Sequence, residues 1–206
     1  DSIHADGKIS PKYSQHTAFL SLLFDIAEDR MRPGLLAHLM DPPENMTRIG
    51  SPFAILYLFS ALEKEGLGHE VIQRIRSAYQ PMLDIEATTV WETFAGALNY
   101  KGAFPTRSHT HAWSSAPVHF LNRIILGIVS DNTGCASFTI SPDITGLTWA
   151  SGSTACYNKE PVSVSWTVKE SVLEIKASGP DGVDLHFKPN DSHGSLEIVF
   201  NGTKVR

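Results

Sequence analysis

Hydrophobic residues recur at helical spacing in the first part of the chain and at every second position after residue 127. In the first segment, Phe19 and Leu22 belong to a broad apolar helix face. The pattern predicts helices over residues 13–28, 35–40, 51–66, 69–79 and 115–126. Ser51 and Pro52 predict the N-cap and the first turn of the third helix.

Alternation of apolar and polar residues after residue 127 predicts short β-strands separated by Gly- and Asn-containing turns. The predicted strands are 136–140, 147–151, 162–168, 172–177, 183–188 and 195–200. Short strands at this density are typical of a small β-sandwich. We therefore expect a multidomain α and β fold, with a helical domain over residues 1–127 and a small antiparallel β-sandwich over residues 128–206.

The predicted helices have apolar faces that are too wide to be buried by one another. Helix hairpins with broad inner and outer faces are typical of α/α toroids, in which each helix packs on two neighbours. Half of such a toroid would leave a large apolar surface exposed. We therefore expect a partner chain or a further segment of the same protein to cover these helices.

Composition excludes some classes of partner. The net charge is -5 and the pI is about 6.0, with no cluster of Lys and Arg, which disfavours nucleic acid. No apolar run reaches the roughly 18 residues that a membrane-spanning helix needs, so we expect no membrane partner.

Localisation rests on weaker signals. Glycosylation sequons at Asn45, Asn190 and Asn201 favour a secreted or extracellular protein, although the first residues contain no signal-peptide pattern. Cys135 and Cys156 could be separate thiols or a disulfide, and the sequence leaves both open.

Candidate chemistry is concentrated between residues 87 and 117. Glu92 follows Trp91, and His111 and Trp113 come about twenty residues later. Aromatic rings stack on the C–H faces of sugars, and a carboxylate can deprotonate water, so this pattern favours a sugar-cleaving site with Glu92 as general base. Glycoside hydrolysis usually needs two carboxyl groups, and Glu92 is the one well-placed candidate here.

Several alternatives stay open at these positions. Asp84 and Glu86 could serve as the base, and both tryptophans could be core residues rather than sugar platforms. His109 and His111 form a His-x-His pair that could chelate zinc, but no third ligand is suitably spaced. We therefore expect no metal and no cofactor.

Five short segments together resemble the C-terminal part of the inverting α-L-rhamnosidases of glycoside hydrolase family 78. They are Tyr13-Ser14-Gln15-His16-Thr17, Gly50-Ser51-Pro52-Phe53, Ala87-Thr88-Thr89-Val90-Trp91-Glu92, Ser108-His109-Thr110-His111-Ala112-Trp113-Ser114 and Leu126-Gly127-Ile128. The resemblance implies the second half of an (α/α)6 barrel over residues 1–127, followed by the family's β-sandwich. It also implies that the substrate is a rhamnose-containing glycoside.

The resemblance further implies roles for particular residues. Glu92 would be the general base for inversion, and His111 would bind rhamnose hydroxyls, with Trp91 and Trp113 as further sugar contacts. The family's general acid lies in the first half of the barrel, which this sequence does not contain, so a companion N-terminal half would supply it.

Two rival functions remain. The chain could be a truncated, non-catalytic relative that binds carbohydrate or a partner chain. Alternatively, the β-sandwich could be a carbohydrate-binding module in which Trp149, Tyr157 and Trp166 form a platform, although alternation places Trp149 and Trp166 more naturally in the core.

Overall fold

The chain folds into two compact units. The computed structural model describes residues 14–94, 106–144, 146–157 and 159–206, and the units are Asp1–Pro117 and Val118–Arg206. The first unit is helical and the second is built from two sheets. Tyr13, the first residue of the first predicted helix, lies outside the described residues.

A helix forms in each predicted segment, but the first ends at Leu23 rather than at residue 28, and the last changes to a π-helical turn, Leu121–Ile125, after Phe120. Their bounds are α1 Gln15–Leu23, α2 Arg32–Met40, α3 Ile55–Lys64, α4 Gly68–Asp84 and α5 Ala116–Phe120. Helix α1 packs on both α2 and α3. The side chains of Phe19, Leu22, Phe59, Leu62 and Val71 are fully buried and form the core of the first unit.

Ser51 begins the third helical segment, as the sequence predicts. Its side chain accepts a hydrogen bond from the Phe53 N–H at 3.4 Å, and Pro52 opens a 3-10 turn that leads into α3. Proline is favoured at this position because the first N–H groups of a helix have no intrahelical partner. The predicted cap is confirmed.

Helix α4 is longer than predicted and continues to Asp84 rather than ending at Tyr79. Pro81 lies inside it, where a proline normally ends or bends a helix. Met82, one residue later, is buried, so packing holds the last turn against the local preference. Of the segment 81–110, predicted to be irregular, residues 95–105 lie outside the described part.

Within the described ranges, no helix is both long and apolar enough to cross a membrane.

The strands of the second unit form two sheets. Those described are β1 Ile128–Ser130, β2 Ser137–Ile140, β3 Trp149–Cys156, β4 Lys159–Lys169, β5 Val172–Ser178, β6 Asp184–Phe187, β7 Glu197–Phe200 and β8 Thr203–Lys204. One sheet has the order β1-β2-β6 and the other the order β3-β4-β5-β7-β8.

The expectation of purely antiparallel sheets is wrong at two places. Strand β6 pairs with β2 in parallel, and β7 pairs with β5 in parallel. The chain leaves the five-stranded sheet after β5, contributes β6 to the other sheet and then returns as β7. A strand that returns in this way is not constrained by a hairpin turn, so it can pair in the same direction as its neighbour.

Trp166 belongs to the core of the second unit. It is fully buried on β4 with Val162 and Val164, and its indole Nε1 donates to the Ile125 carbonyl at 2.8 Å. Trp166 therefore cannot be part of an exposed sugar platform. The bond to Ile125 also ties the π-helical turn Leu121–Ile125, which follows α5, to the sheet.

The two cysteine thiols are free in this structure. Cys156 is buried at the end of β3. Burial raises the pKa of Cys156 to about 11, and the hydrogen bond that its thiol donates to Cys135 adds to the rise. Cys156 is therefore protonated and weakly nucleophilic near neutral pH.

Two of the sequon asparagines have structural roles. The Asn190 amide donates to Ser141 Oγ and to the Pro142 carbonyl, each at 3.0 Å. The Asn201 amide exchanges hydrogen bonds with the backbone of Ala177 at 2.8 and 3.0 Å. A glycan replaces one of the two amide hydrogens, so it would remove a bond donated by Asn190, whereas Asn201 donates one bond and could keep it.

His193 makes the second unit sensitive to acid. Its ring is fully buried, its Nδ1 accepts from the Asn190 N–H at 3.1 Å, and its Nε2 donates to the Pro142 carbonyl at 2.8 Å. This arrangement needs the neutral ring. Burial is the largest effect and lowers the pKa of His193 below 6.5. The hydrogen bond to the Pro142 carbonyl opposes it, and the weaker effects of Arg206 and Asp143 lower and raise the pKa respectively.

We predict that the free energy of unfolding falls as the pH drops below 6.5. The histidine of the unfolded chain binds a proton near pH 6.5, whereas the ring in the folded chain binds one only around its lower pKa. The stabilisation present above pH 6.5 is therefore lost as the pH falls from 6.5 through the pKa of the folded state. Urea unfolding at a series of pH values measures this. A His193→Gln variant should lose less stability on acidification, whereas His186→Gln, at an exposed position, should behave like the unmodified chain. Equal acid sensitivity in all three would contradict the prediction.

Candidate functional site

The two chemically rich segments of the sequence lie side by side in the first unit. The Glu92 N–H donates to the Ser108 carbonyl at 3.0 Å, and the His111 N–H donates to the Val90 carbonyl at 2.9 Å. The Thr89 hydroxyl donates to the His109 carbonyl. These bonds join residues 89–92 to residues 108–111, so Glu92 and His111 lie on two neighbouring segments of the chain.

A third sequence motif is attached to Glu92. The Ser51 hydroxyl, which caps the 3-10 turn, also donates to the Glu92 carbonyl at 2.6 Å. Two residues later, the Phe94 N–H donates to the Gly50 carbonyl at 3.2 Å. The beginning of the third helical segment therefore fixes the backbone on both sides of Thr93.

A buried pair of threonines holds the same segment from the other side. Thr106 Oγ1 accepts from the Thr93 N–H at 3.1 Å and lies 2.9 Å from Thr93 Oγ1. The two residues are 2% and 6% exposed. Sequence reasoning does not single them out, because isolated threonines in an irregular stretch carry no signal of a long-range pair.

The Glu92 carboxylate is partly open to solvent. Its side chain is 31% exposed, and Oε1 lies 4.0 Å from Nη1 of Arg107, which is itself mostly exposed. An ion pair this long and this exposed contributes little to stability. The carboxylate is thus held on a fixed backbone and remains accessible to water, as a general base must be.

The alternative carboxylates lie at and just after the end of α4. Asp84 Oδ1 accepts from the Gln80 amide at 2.7 Å, one helical turn earlier. Glu86 is exposed and has a positive φ of 55°. Neither residue is joined to the paired segments by the hydrogen bonds that fix Glu92, although both remain alternatives on chemical grounds.

Trp113 offers an accessible aromatic face. It is 68% exposed, and its ring centroid lies 5.0 Å from that of Phe53 and 5.9 Å from that of His111. His111 is half-buried. The three rings form an aromatic cluster at the surface of the unit, which suits stacking on a sugar, and the sugar-binding roles of His111 and Trp113 stay predictions.

Trp91 is placed differently from Trp113. It is 2% exposed, and its ring centroid lies 5.6 Å from that of His109. A ring that is this buried cannot present a face to a sugar in the described arrangement. The core alternative is therefore favoured for Trp91, and its predicted sugar contact has no geometric support.

Tyr79 connects α4 to the motif segment and was not foreseen from the sequence. Its buried hydroxyl donates to the Ser114 carbonyl at 2.8 Å, and its ring packs edge-on against Phe94 with centroids 6.0 Å apart. Burial raises the pKa of Tyr79, so the hydroxyl stays a donor at neutral pH. The sequence places Tyr79 only at the end of the fourth predicted helix, which carries no signal of these contacts.

Metal ligands do not assemble in this part of the chain. Across the ranges that the structure describes, no three His, Cys, Asp or Glu side chains are grouped so that they could hold a metal ion.

A cavity of about 420 Å³ is lined by residues of α1 and α2 and by Ile26, Met31 and Met46, and it does not include Glu92.

Residues 3–125 match the family model described as the bacterial alpha-L-rhamnosidase 6 hairpin glycosidase domain. The chain belongs to this family. The matched range contains Glu92, His111 and Trp113, so the paired segments described above are part of the family's glycosidase domain.

Solved rhamnosidases share the fold of this family member. The GH78 family rhamnosidase of Bacillus sp. GL1 is 32% identical, with a TM-score of 0.87 over 96% of this chain and 21% of that chain. The alpha-L-rhamnosidase from Dictyoglumus thermophilum is 17% identical, with a TM-score of 0.66 over 87% of this chain and 21% of that chain, a likeness of fold alone. No curated protein matches the sequence. The chain thus spans about a fifth of the length of these two rhamnosidases.

We predict that Thr106→Val destabilises the chain by about 1–3 kcal/mol, since it leaves the buried Thr93 N–H without an acceptor. Urea denaturation measures the free energy of unfolding. The matched control is Thr110→Val at an exposed position, where the change should stay within about 0.5 kcal/mol. Similar stabilities of the two variants would show that the threonine pair does not hold the Glu92 segment.

Proposed function

We propose that this chain is part of an α-L-rhamnosidase that removes terminal α-L-rhamnose from glycosides. The family match over residues 3–125 carries the proposal, and the Bacillus sp. GL1 enzyme, a rhamnosidase, is 32% identical. The partly exposed Glu92, fixed by bonds from Ser51 and to Ser108, supplies a suitable carboxylate.

The proposed reaction is a single displacement at the anomeric carbon. Glu92 accepts a proton from a water molecule while the water oxygen bonds to that carbon on the face opposite the leaving group. The glycosidic bond breaks at the same time, and a general acid protonates the departing oxygen. The anomeric configuration inverts, and the two carboxyl groups must be about 6.5–9.5 Å apart to admit the water.

Sugar contacts in this proposal come from the surface aromatic cluster. The exposed face of Trp113 stacks on the C–H face of rhamnose, and the His111 imidazole hydrogen-bonds its hydroxyl groups. Rings of this kind provide a large contact area at little conformational cost, and the imidazole can both donate and accept.

The general acid in this proposal belongs to a further segment of protein. Several large apolar side chains of the first unit are exposed, including Phe24, Ile26, Leu83 and Ile85, and a monomeric protein rarely leaves so many uncovered. The matched rhamnosidases are also several times longer than this chain. We infer that the helices form the second half of an (α/α)6 barrel and that a companion N-terminal half covers these residues.

Substitution of Glu92 tests the catalytic assignment. In the protein that carries this chain together with its companion half, Glu92→Gln should lower the rate of hydrolysis of p-nitrophenyl α-L-rhamnopyranoside by about 10²–10⁴-fold, the usual contribution of a general base. NMR of the first product should show rhamnose whose anomeric configuration is opposite to that of the substrate. The matched control is Glu86→Gln, which should keep its activity.

Three other outcomes would contradict parts of this proposal. Loss of activity in Glu86→Gln, with activity kept in Glu92→Gln, would identify Glu86 rather than Glu92 as the general base. Retained anomeric configuration would exclude single displacement. A protein that is inactive before any substitution, yet binds rhamnose, would support a non-catalytic relative.

The companion half is tested by the intact mass of the protein isolated from its source. We expect either a single polypeptide several times heavier than the 22.6 kDa of this chain, or this chain co-purified with a larger piece. A lone, monomeric 22.6 kDa species would contradict the companion half.

A further inference from the structure

Trp149 lies in an unusual position on the five-stranded sheet. It is the first residue of β3, an edge strand, and it is 66% exposed. The outward-facing residues that follow it on the same strand are Ser151 and Ser153. A single exposed apolar ring is common on protein surfaces, so the side chains around this indole decide whether it can serve a ligand.

Strand register aligns a grid of polar side chains beside this indole. The outward cross-strand rows are Trp149, Thr167 and Glu174; then Ser151, Ser165 and Lys176; then Ser153, Ser163 and Ser178. Directly opposite residues have Cβ atoms about 4.5–5.5 Å apart, so Thr167 is a direct neighbour of the indole.

The grid is grooved rather than flat. One depression of about 230 Å³ is lined by Thr167, Glu174 and Lys169 among others, and a second of about 170 Å³ is lined by Ser151 and Ser163 among others. Ser165 and Lys176 line both depressions. The two therefore form one shallow groove along β4 and β5. Trp149 itself lines neither depression, but its cross-strand partner Thr167 lines the larger one.

The hydroxyl groups in the groove are available to a ligand. In the described part of the chain, those of Ser151, Ser163, Ser165 and Thr167 make no hydrogen bond. Elsewhere in the same unit, hydroxyls are used internally. Examples are Ser130 with Asn132, Ser137 and Thr139 with Asp131, and Ser192 with Asn190.

The charges in the groove are mostly compensated. Lys176 Nζ lies 3.2 Å from Glu174 Oε1, so the central ammonium and carboxylate neutralise each other while both keep further hydrogen-bonding capacity. A groove of free hydroxyls, one ion pair and an exposed indole matches a neutral molecule with many hydroxyls and an apolar ring face. That description fits an uncharged sugar.

We propose that the outward face of the five-stranded sheet is a carbohydrate-binding site for a neutral oligosaccharide. One sugar ring stacks on Trp149, and its hydroxyl groups bond to Thr167, Ser165 and the Glu174–Lys176 pair. The site involves only the second unit and does not depend on Glu92, so it can be tested apart from hydrolysis.

Proton–nitrogen correlation NMR of the indole N–H groups tests the site on the chain as it exists. The chain has four tryptophans, of which Trp91 and Trp166 are buried and Trp113 and Trp149 are exposed. The probe is neohesperidose, a neutral rhamnosyl-glucose disaccharide, titrated to about 20 mM, well above a Kd of about 1 mM. We expect a saturable shift of the Trp149 signal, while any shift of Trp113 reports separately on the candidate active site.

Variants separate stacking from unspecific effects. In the variants that lack the Trp149 indole, binding is followed on the backbone N–H signals of Ser165 and Thr167. Trp149→Ala should weaken binding about tenfold or more, as loss of a central aromatic contact does, and Trp149→Phe should retain part of the affinity. Ser165→Val, which removes a hydroxyl shared by both depressions, should also weaken binding. Tyr157→Ala removes an aromatic residue that is even more exposed than Trp149 but is not paired with a residue of the groove, and it should leave the affinity unchanged.

Defined results would overturn the proposal. An unmoved Trp149 signal at the highest concentration would do so, as would unchanged affinity in Trp149→Ala. The indole signal of Trp166, hydrogen-bonded to Ile125, shows whether each variant is folded, and a misfolded Trp149→Ala is replaced by Ser165→Val as the deciding variant. Tighter binding of trigalacturonate than of neohesperidose would contradict the neutral ligand.

Discussion

The backbone hydrogen bonds between residues 89–92 and residues 108–111 are the constraint on which the candidate active site depends. They hold the segment that carries Glu92 beside the segment that carries His111, nineteen residues later in the sequence. Ser51 and the Thr93–Thr106 pair fix the same segment from two further directions. Because most of these bonds involve the backbone or buried hydroxyls, Glu92 itself can remain partly exposed and available for chemistry.

The four tryptophans show how one residue type takes different roles. Trp91 and Trp166 are buried, and the indole N–H of Trp166 is satisfied by the Ile125 carbonyl. Trp113 and Trp149 are about two-thirds exposed, the first in an aromatic cluster and the second beside a hydroxyl-lined groove. Burial separates the structural pair from the pair that can meet a ligand.

The two units differ in how completely they bury their apolar residues. In the second unit, inward residues of the strands are buried and the outward faces are polar. In the first unit, helices α1 to α4 form a common core, yet large apolar residues at the ends of α1 and α4 remain exposed. The exposed residues at these helix ends support the proposal that a further segment of protein covers them, and the greater length of the matched rhamnosidases supports it too.

The sequence by itself determined the helices, most of the strands and the segments that carry the family's chemistry, because hydrophobic periodicity and capping residues such as Ser51 are local signals. Only the tertiary structure decided the parallel pairings of β6 and β7, the extension of α4 past Pro81 and the pairing of Thr93 with Thr106. It also decided which tryptophans are accessible, since alternation alone had placed Trp149 in the core. Strand partners, buried hydroxyl pairs and the exposure of a ring depend on residues far away in the chain, and no local pattern encodes them.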